Sequence, residues 1–213
     1  MKTTFKSVSL ADQVFERLEN DIIQGVYVKG ELLTELRLVE QLGVSRTPIR
    51  EALRRLEQER LIEDAGKGSR VIGISEEDVI DIMSIRQDIE ALATYYATVN
   101  MTPEGIAELE HIVDLMDFYY AKWDPEHLRR TDDDFHEAIC RLSRRTVIND
   151  TLVPLHRKTR RYRKIAMEDK SRATCTLHEH HLIFDAIKAG DAEKAKELSK
   201  THIINAKVHM FGE

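Results

Sequence analysis

VSRTPIREALRRLEQERLI, Val44–Ile62, is the stretch on which the fold turns. Ser45 stands where a helix N-cap belongs, and Ile49, Leu53 and Leu56 recur at helical spacing, so one helix with an apolar stripe is expected. Arg46 and Thr47 fall in its first turn, with Arg50 and Arg54 one and two turns on, which makes the opposite face cationic. Just upstream, Thr34 caps a short helix, ELRLVEQL, that stops at Gly43. Two helices joined by a turn of about three or four residues containing Gly have the helix-turn-helix layout, whose second helix offers its first residues to base edges in the major groove. Arg46 or Arg50 suits a bidentate bond to guanine, and Ser45, Thr47 and the open amides of the helix start suit phosphate.

Working outward, Val8–Gln24 places Leu10, Val14, Leu18 and Ile22 at helical spacing and stops at Gly25. On the other side, LIEDAGKGSRVIGI holds two short β-prone runs around Gly66-Lys67-Gly68, a wing whose tip, Lys67 and Gly68, reaches along the nucleic-acid backbone. Three helices and a hairpin thus fill residues 1–73. A cationic helix alone also fits an ordinary solvated surface.

Charge divides the chain at the same place. Residues 1–73 hold 12 Lys+Arg against 12 Asp+Glu, so the net charge of -6 belongs wholly to residues 74–213, with 32 - 12 = 20 against 38 - 12 = 26. All nine histidines lie in that second part, from His111 onward. No apolar run approaches the roughly 20 residues of a spanning helix, and the start MKTTFKSVSLADQVFERL lacks the apolar core of a signal peptide, so a cytoplasmic protein with no membrane partner is expected. Cys140 and Cys175, without a CxxC pair, read as buried small hydrophobes in a reducing compartment.

The second part reads as a bundle of five or six helices of about 12 to 25 residues. SEED opens the first of them and DPEHL puts proline at the first position of another. Within the bundle, TDDDFHEAI, Thr131–Ile139, invites a helical wheel. At 100° per residue from Leu128, Phe135, Ile139 and Leu142 stay within about 40° of the origin, Asp132 lands at about 40° and His136 at about 80°. Both touch the edge of the apolar stripe, whereas Asp133 and Asp134 point away as solvated charges. A carboxylate beside a core needs a charge partner or a cation, and i, i+4 spacing lets Asp132 and His136 meet one ion. In TLHEHHLIFDAIKAGD, His180 sits mid-stripe while His178 and His181 lie toward solvent; in the last helix His202 faces inward, with His209 as a rival two turns later. Each inward histidine alone reads as a satisfied core imidazole, but several converging with an aspartate in a bundle interior suit a metal.

VSRTPIREALRRLEQERLI, preceded by LVEQLG and followed by the wing, resembles the winged helix of the GntR superfamily of bacterial transcription regulators. Members often carry an arginine just after the acidic residue of the second helix; here Leu36 stands there, with Arg37 next as the alternative DNA contact. DDDFHEAI, EHHLIFDAIKAGDAEKA and the histidine-bearing last helix resemble the FCD ligand-sensing domain of the FadR-like branch. That resemblance implies a metal held by Asp132, His136, His180 and His202, and a small organic acid as effector. It also marks Arg86, in IRQDIEAL, as an aid to an anionic ligand, though an i, i+4 salt bridge to Glu90 is the plainer account of it. SRRTVIND replaces the small Ser-Gly-Asn turn usual in the family. Three imidazoles and a carboxylate suit zinc, with nickel, manganese or iron as alternatives.

The fold class expected is therefore mainly α: an N-terminal winged helix-turn-helix, 1–73, and a C-terminal all-α bundle of FCD type, 74–213, for effector, metal and dimerisation. The function expected is a metal-containing, homodimeric DNA-binding regulator, a repressor, that binds a pseudo-palindromic double-stranded operator and responds to a carboxylate. Two other readings stand beside it. One is an all-helical metal enzyme with an appended DNA-binding domain, for which Glu179 and His181 are the available bases. The other is a bundle that only dimerises. The basic run RKTRRYRK, Arg157–Lys164, is expected to be largely solvated, with Arg160 or Arg161 available to line a pocket.

Overall fold

The computed structural model describes residues 9–212; Val8, where the first helix is expected to start, lies outside the described residues. The chain divides into two compact units, one ending at Ser75 and one beginning at Glu76. No helix among the described residues is long and apolar enough to cross a membrane.

In the first unit, α1 (Leu10–Ile23) opens with a capping box, in which the Ser9 hydroxyl accepts from the Asp12 amide and the Asp12 carboxylate reaches back. A two-residue strand, β1 (Leu32–Leu33), leads into α2 (Glu35–Leu42), whose first turn is capped by Thr34 accepting from the Arg37 amide. Gly43 ends α2 at φ 66, and α3 (Arg46–Gln58) follows. Strands β2 (Ile62–Asp64) and β3 (Ser69–Val71) form the expected wing. The sheet order is β1-β3-β2, all antiparallel, with Leu33 opposite Ser69 and Asp64 opposite Ser69 on the other side. Strand β1 is too short for any period to announce it. Leu18, Leu33, Leu38, Ile49 and Leu56 are fully buried together, so the apolar stripes of the three helices meet over the sheet. Arg55 pins α3 to α1, 2.6 Å from Asp12 and over the Phe15 ring at 3.9 Å.

The second unit holds seven helices among the described residues, one or two more than expected. These are α4 (Glu76–Val99), α5 (Pro103–Lys122), α6 (Pro125–Leu142), α7 (Thr146–Lys158), α8 (Arg160–Glu168), α9 (Lys170–Lys188) and α10 (Ala192–Phe211). The extra break falls inside the basic run, at Thr159. Its hydroxyl bonds back to the Leu155 and His156 carbonyls and accepts from Arg86, so a side chain competes with the helix ladder there. Helix α4 is central. Ala91, Ala93 and Ala97 are buried on it and let neighbouring backbones approach, and Thr94 bonds Ser199 of α10 at 2.9 Å. Phe135, Leu109, Leu152 and Ala195, all fully buried, mark the core around which α5, α6, α7, α9 and α10 close.

Candidate functional site

The phase of α6, α9 and α10 brings three imidazoles to one point. His136, His180 and His202 are all buried, and one nitrogen from each lies within 4.8 Å of the others. His180 Nε2 is 3.4 Å from His202 Nε2, and Asp132 Oδ1 lies 3.9 Å from His136 Nε2 and 3.7 Å from His180 Nε2. Donors around one tetrahedral ion with bonds of about 2.0–2.1 Å stand about 3.3 Å apart, so these spacings suit a shared cation after small side-chain shifts. His209 is exposed, 3.8 Å from Asp169, and is no rival. His178 is exposed too, and His181 turns outward to Asp117 at 2.9 Å.

The other nitrogens of two of these rings are fixed. His136 Nδ1 donates to Glu90 Oε2 at 2.8 Å, and His202 Nδ1 donates to Glu179 Oε2 at 2.7 Å. Carboxylates on Nδ1 set the tautomer that leaves an Nε2 lone pair facing inward, as metal-binding histidines require. The third ring, His180, stacks on Phe135 at 4.4 Å and sets Nδ1 3.4 Å from Met116 Sδ. Burial pushes the His136 and His180 imidazoles well below their ordinary range, the Glu90 carboxylate partly opposing this at His136. Burial raises Asp132, against the pull of Arg163.

Glu90 is the hub. Besides His136 it accepts from Arg86 Nε at 2.6 Å and from His156 Nε2 at 3.0 Å, all three groups being buried. Burial alone would raise its carboxyl, but Arg86, His136 and His156 outweigh that and hold it well below the usual range. Glu179 is similar: burial opposes, yet His202 and Arg172 bring it down to about 2. Its two oxygens are taken up by Arg172, His202 and Asn205, which leaves no free base for an enzyme there.

A cavity of about 30 Å³ opens beside the cluster, bordered by Asp132, His136, His202 and three arginines, Arg86, Arg163 and Arg172. Arg86 pairs with Glu90, as the i, i+4 reading expects, and it also borders the cavity. Several expectations are corrected here. Of the basic run it is Arg163, not Arg160 or Arg161, that borders the cavity; Arg161 is exposed and Arg160 lies 4.0 Å from Glu137. Asp133 is not a solvated charge, because α8 brings Arg163 to 2.7 Å and Arg129 lies at 2.8 Å. Asp134 is exposed as expected. Cys140 is buried, its thiol pushed up to about 12 by burial, but Cys175 is exposed. Sequence reasoning saw Glu90 only as the partner of Arg86 and did not single out Arg163, Arg172 or Thr176, since their roles follow from another helix arriving rather than from their own helix.

On the first unit, Ser45, Arg46, Thr47, Arg50 and Arg54 are exposed on α3. Ser45 occupies the N-cap position without a side-chain cap bond, so neither its hydroxyl nor the first α3 amides are tied up in capping. Arg50 Nε meets Glu35 Oε1 at 2.7 Å in an exposed pair. Arg37 lies 2.8 Å from Glu31, and Leu36 beside it is 57% exposed. Lys67 is exposed at the wing tip, whereas Gly68 is half-buried at φ 149, and a Cβ there would meet the Leu33 carbonyl oxygen at 2.6 Å. Gly68 is thus needed where β3 passes β1.

Comparison with known proteins agrees with both units. Residues 10–72 match the model of the bacterial regulatory proteins of the gntR family, and residues 81–205 match the FCD domain. The Uxu operon regulator of Haemophilus influenzae is 29% identical, over 93% of this chain and 81% of that protein. The HTH-type transcriptional regulator BphR of Paraburkholderia xenovorans is 31% identical, over 92% of this chain and 82% of its own length. Among solved structures, that of McbR/YncC from E. coli superposes with a TM-score of 0.80 at 25% identity, covering 97% of this chain and 99% of that one. These relatives are regulators, which answers the enzyme alternative. A winged helix-turn-helix followed by an all-helical FCD unit makes this chain a transcriptional regulator belonging to the gntR family of bacterial regulatory proteins.

Proposed function

We propose that this regulator is a cytoplasmic, homodimeric repressor whose DNA affinity is set by a small organic carboxylate bound beside a divalent metal. The observation that carries the reading is the meeting of His136, His180 and His202 with Asp132, beside a cavity bordered by arginines. Residues 1–73 bind DNA and residues 74–213 hold metal and effector and form the dimer. Asp132, His136, His180 and His202 hold the ion, zinc foremost, with nickel, manganese or iron as alternatives. When bound, it supplies a Lewis-acidic position for a carboxylate oxygen. Arg86 keeps Glu90 charged, and Glu90 in turn orients His136; the carboxylate enters the arginine-bordered cavity.

At the DNA, Arg46, Arg50 and Arg54 face the major groove, Ser45 and Thr47 take phosphate, and Arg37, Lys67 and the Gly68 backbone follow the flanking strand. Two copies read two half-sites of a pseudo-palindromic operator. The acid lowers operator affinity because it binds more tightly to a dimer whose recognition helices are wrongly spaced; equal affinity for both arrangements would shift nothing.

The test begins with elemental analysis of protein purified without chelator or affinity-column metal. About one ion per chain is expected in the wild type, and a clear deficit in His180→Ala with unchanged circular dichroism. A ratio near zero in both would remove the metal and leave the bundle as a dimerisation unit. Operator binding abolished by Arg50→Ala, and released by a carboxylate recovered unaltered, completes the reading; turnover of that acid would bring the enzyme back.

A further inference from the structure

A groove of about 680 Å³ runs between α5, α6 and α7, and it shares no bordering residue with the cavity beside the imidazole cluster. Each helix gives it two turns of one face, from Glu108 to Leu115, from Asp134 to Arg141 and from Asn149 to His156. Seven residues of helix run about 10 Å, and the volume falls within the roughly 300–1,000 Å³ of small-molecule sites.

His156, only 4% exposed, borders this groove. Its Nε2 donates to Glu90 at 3.0 Å, which places the ring proton there and the lone pair on Nδ1. Burial, partly opposed by Glu90, brings the imidazole down to about 4, so the ring is neutral at neutral pH. Nδ1 is itself buried and has no hydrogen-bond partner among the described residues. An unpaired buried acceptor costs stability, which points to a donor that arrives with a ligand. No second group of three metal donors exists among the described residues, so that donor is an N–H or O–H rather than a resident metal ion.

Charge selects between the two. The groove wall sets Glu108, Asp134 and Glu137 against Arg141 alone, a balance of 1 - 3 = -2. Glu108 is paired with Arg141, and Glu137 lies 4.0 Å from Arg160. Asp134 has no cation within salt-bridge distance among the described residues. Ile112, Leu115, Ala138 and Val153 add apolar wall between the charged groups, suited to a short hydrocarbon chain.

We propose that this groove binds a short aliphatic diamine, with one ammonium on Asp134, the other donating to Nδ1 of His156, and the chain between them on the apolar wall. Two positive charges neutralise the wall, which one ammonium alone does not.

Calorimetric titration of the full-length protein with 1,4-diaminobutane, butylamine and butane-1,4-diol at one fixed ionic strength tests it. The diamine binds about tenfold more tightly than butylamine, the weight of one charge-assisted hydrogen bond, and the diol does not bind. Asp134→Asn weakens the diamine about tenfold, whereas Asp114→Asn, at an exposed acid of α5 outside the groove, leaves it unchanged. In protein carrying isotope-labelled histidine, the assigned Nδ1 resonance of His156 moves when the diamine is added and not when the diol is. That shift is read in the wild type, so it does not depend on any variant folding. No binding of the diamine, equal affinity for diamine and butylamine, equal losses in Asp134→Asn and Asp114→Asn, or an unmoved Nδ1 resonance in the saturated complex would each overturn the proposal.

Discussion

Glu90 Oε2 lies 2.8 Å from Nδ1 of His136, on the side of the ring away from the nitrogen that faces Asp132. The same carboxylate compensates Arg86, which is 2% exposed and has no other acid within salt-bridge distance among the described residues. Glu90→Gln keeps the shape but removes the charge. Loss of an outer-shell carboxylate lowers metal affinity by about 10- to 100-fold. Leaving Arg86 buried without its counter-charge costs about 3–5 kcal/mol of stability. Competition with a chromogenic chelator and thermal unfolding of the metal-free protein measure the two effects separately. A Glu90→Gln protein with wild-type metal affinity would show that His136 needs no such support.

How far the sequence carried this site follows from which residues depend on one helix alone. Asp132, His136, His180 and His202 were legible because each lies on or beside the apolar stripe of its own helix, and the period of 3.6 residues fixes that without any knowledge of neighbours. The recognition helix was legible for the same reason. Asp133 was misjudged because its phase does point away from the stripe of α6; only the arrival of Arg163 on α8 covers it. Arg163 itself depended on a break at Thr159 that the unbroken basic run concealed. Glu90 looked like one half of an i, i+4 pair, and nothing local showed that His136 and His156 would share it. Pairings between helices depend on tertiary docking, for which periodicity carries no signal.

Acid acts on the buried imidazoles. Burial, partly opposed by Glu90, pushes His156 down to about 4, against about 6.5 for an unfolded histidine. Between those values the unfolded chain holds a proton that the folded chain does not, so stability is intact above about 6.5 and falls as the pH drops toward 4. His156 alone contributes on the order of 3 kcal/mol to that loss, and His136 and His180 shift in the same direction. Below about pH 4.5 Glu179, with its carboxyl brought down to about 2, adds a second phase of loss. Denaturant unfolding of metal-free protein from pH 7 to 4 should show the first phase, with a shallower slope in His156→Gln. An identical slope in the variant would assign the effect to other groups.

The connection between α6 and α7 carries avoidable strain. Arg144 is exposed and sits at φ 54, in the left-handed region, where a side chain costs roughly 1–2 kcal/mol and glycine almost nothing. Its amide donates to the Arg141 carbonyl, a backbone bond that glycine keeps. Arg144→Gly gives back part of that gain through the freedom glycine has in the unfolded chain. A net gain of about 0.5–1 kcal/mol is therefore expected, visible as a rise in Tm with unchanged metal content. A fall in Tm would mean that the Arg144 side chain contributes a contact worth more than the strain.

On the DNA-binding unit, Arg50 and Lys67 should fail in different ways. Arg50 meets Glu35 at 2.7 Å, but the two side chains are 64% and 36% exposed, so water screens the pair and it yields readily to a base. Arg50→Ala should cost about 1–3 kcal/mol on an operator selected from random DNA by the wild type, and relax preference at one base pair per half-site. Lys67 stands exposed at the wing tip, where the strands β2 and β3 turn. A lysine on phosphate adds affinity without reading sequence, so Lys67→Ala should weaken selected and unrelated DNA by the same factor and reduce the salt slope by about one per contact. Fluorescence anisotropy across a series of KCl concentrations separates the two effects. Equal weakening on both DNAs by Arg50→Ala, or altered base preference in Lys67→Ala, would exchange their roles and place the wing, rather than α3, against the bases.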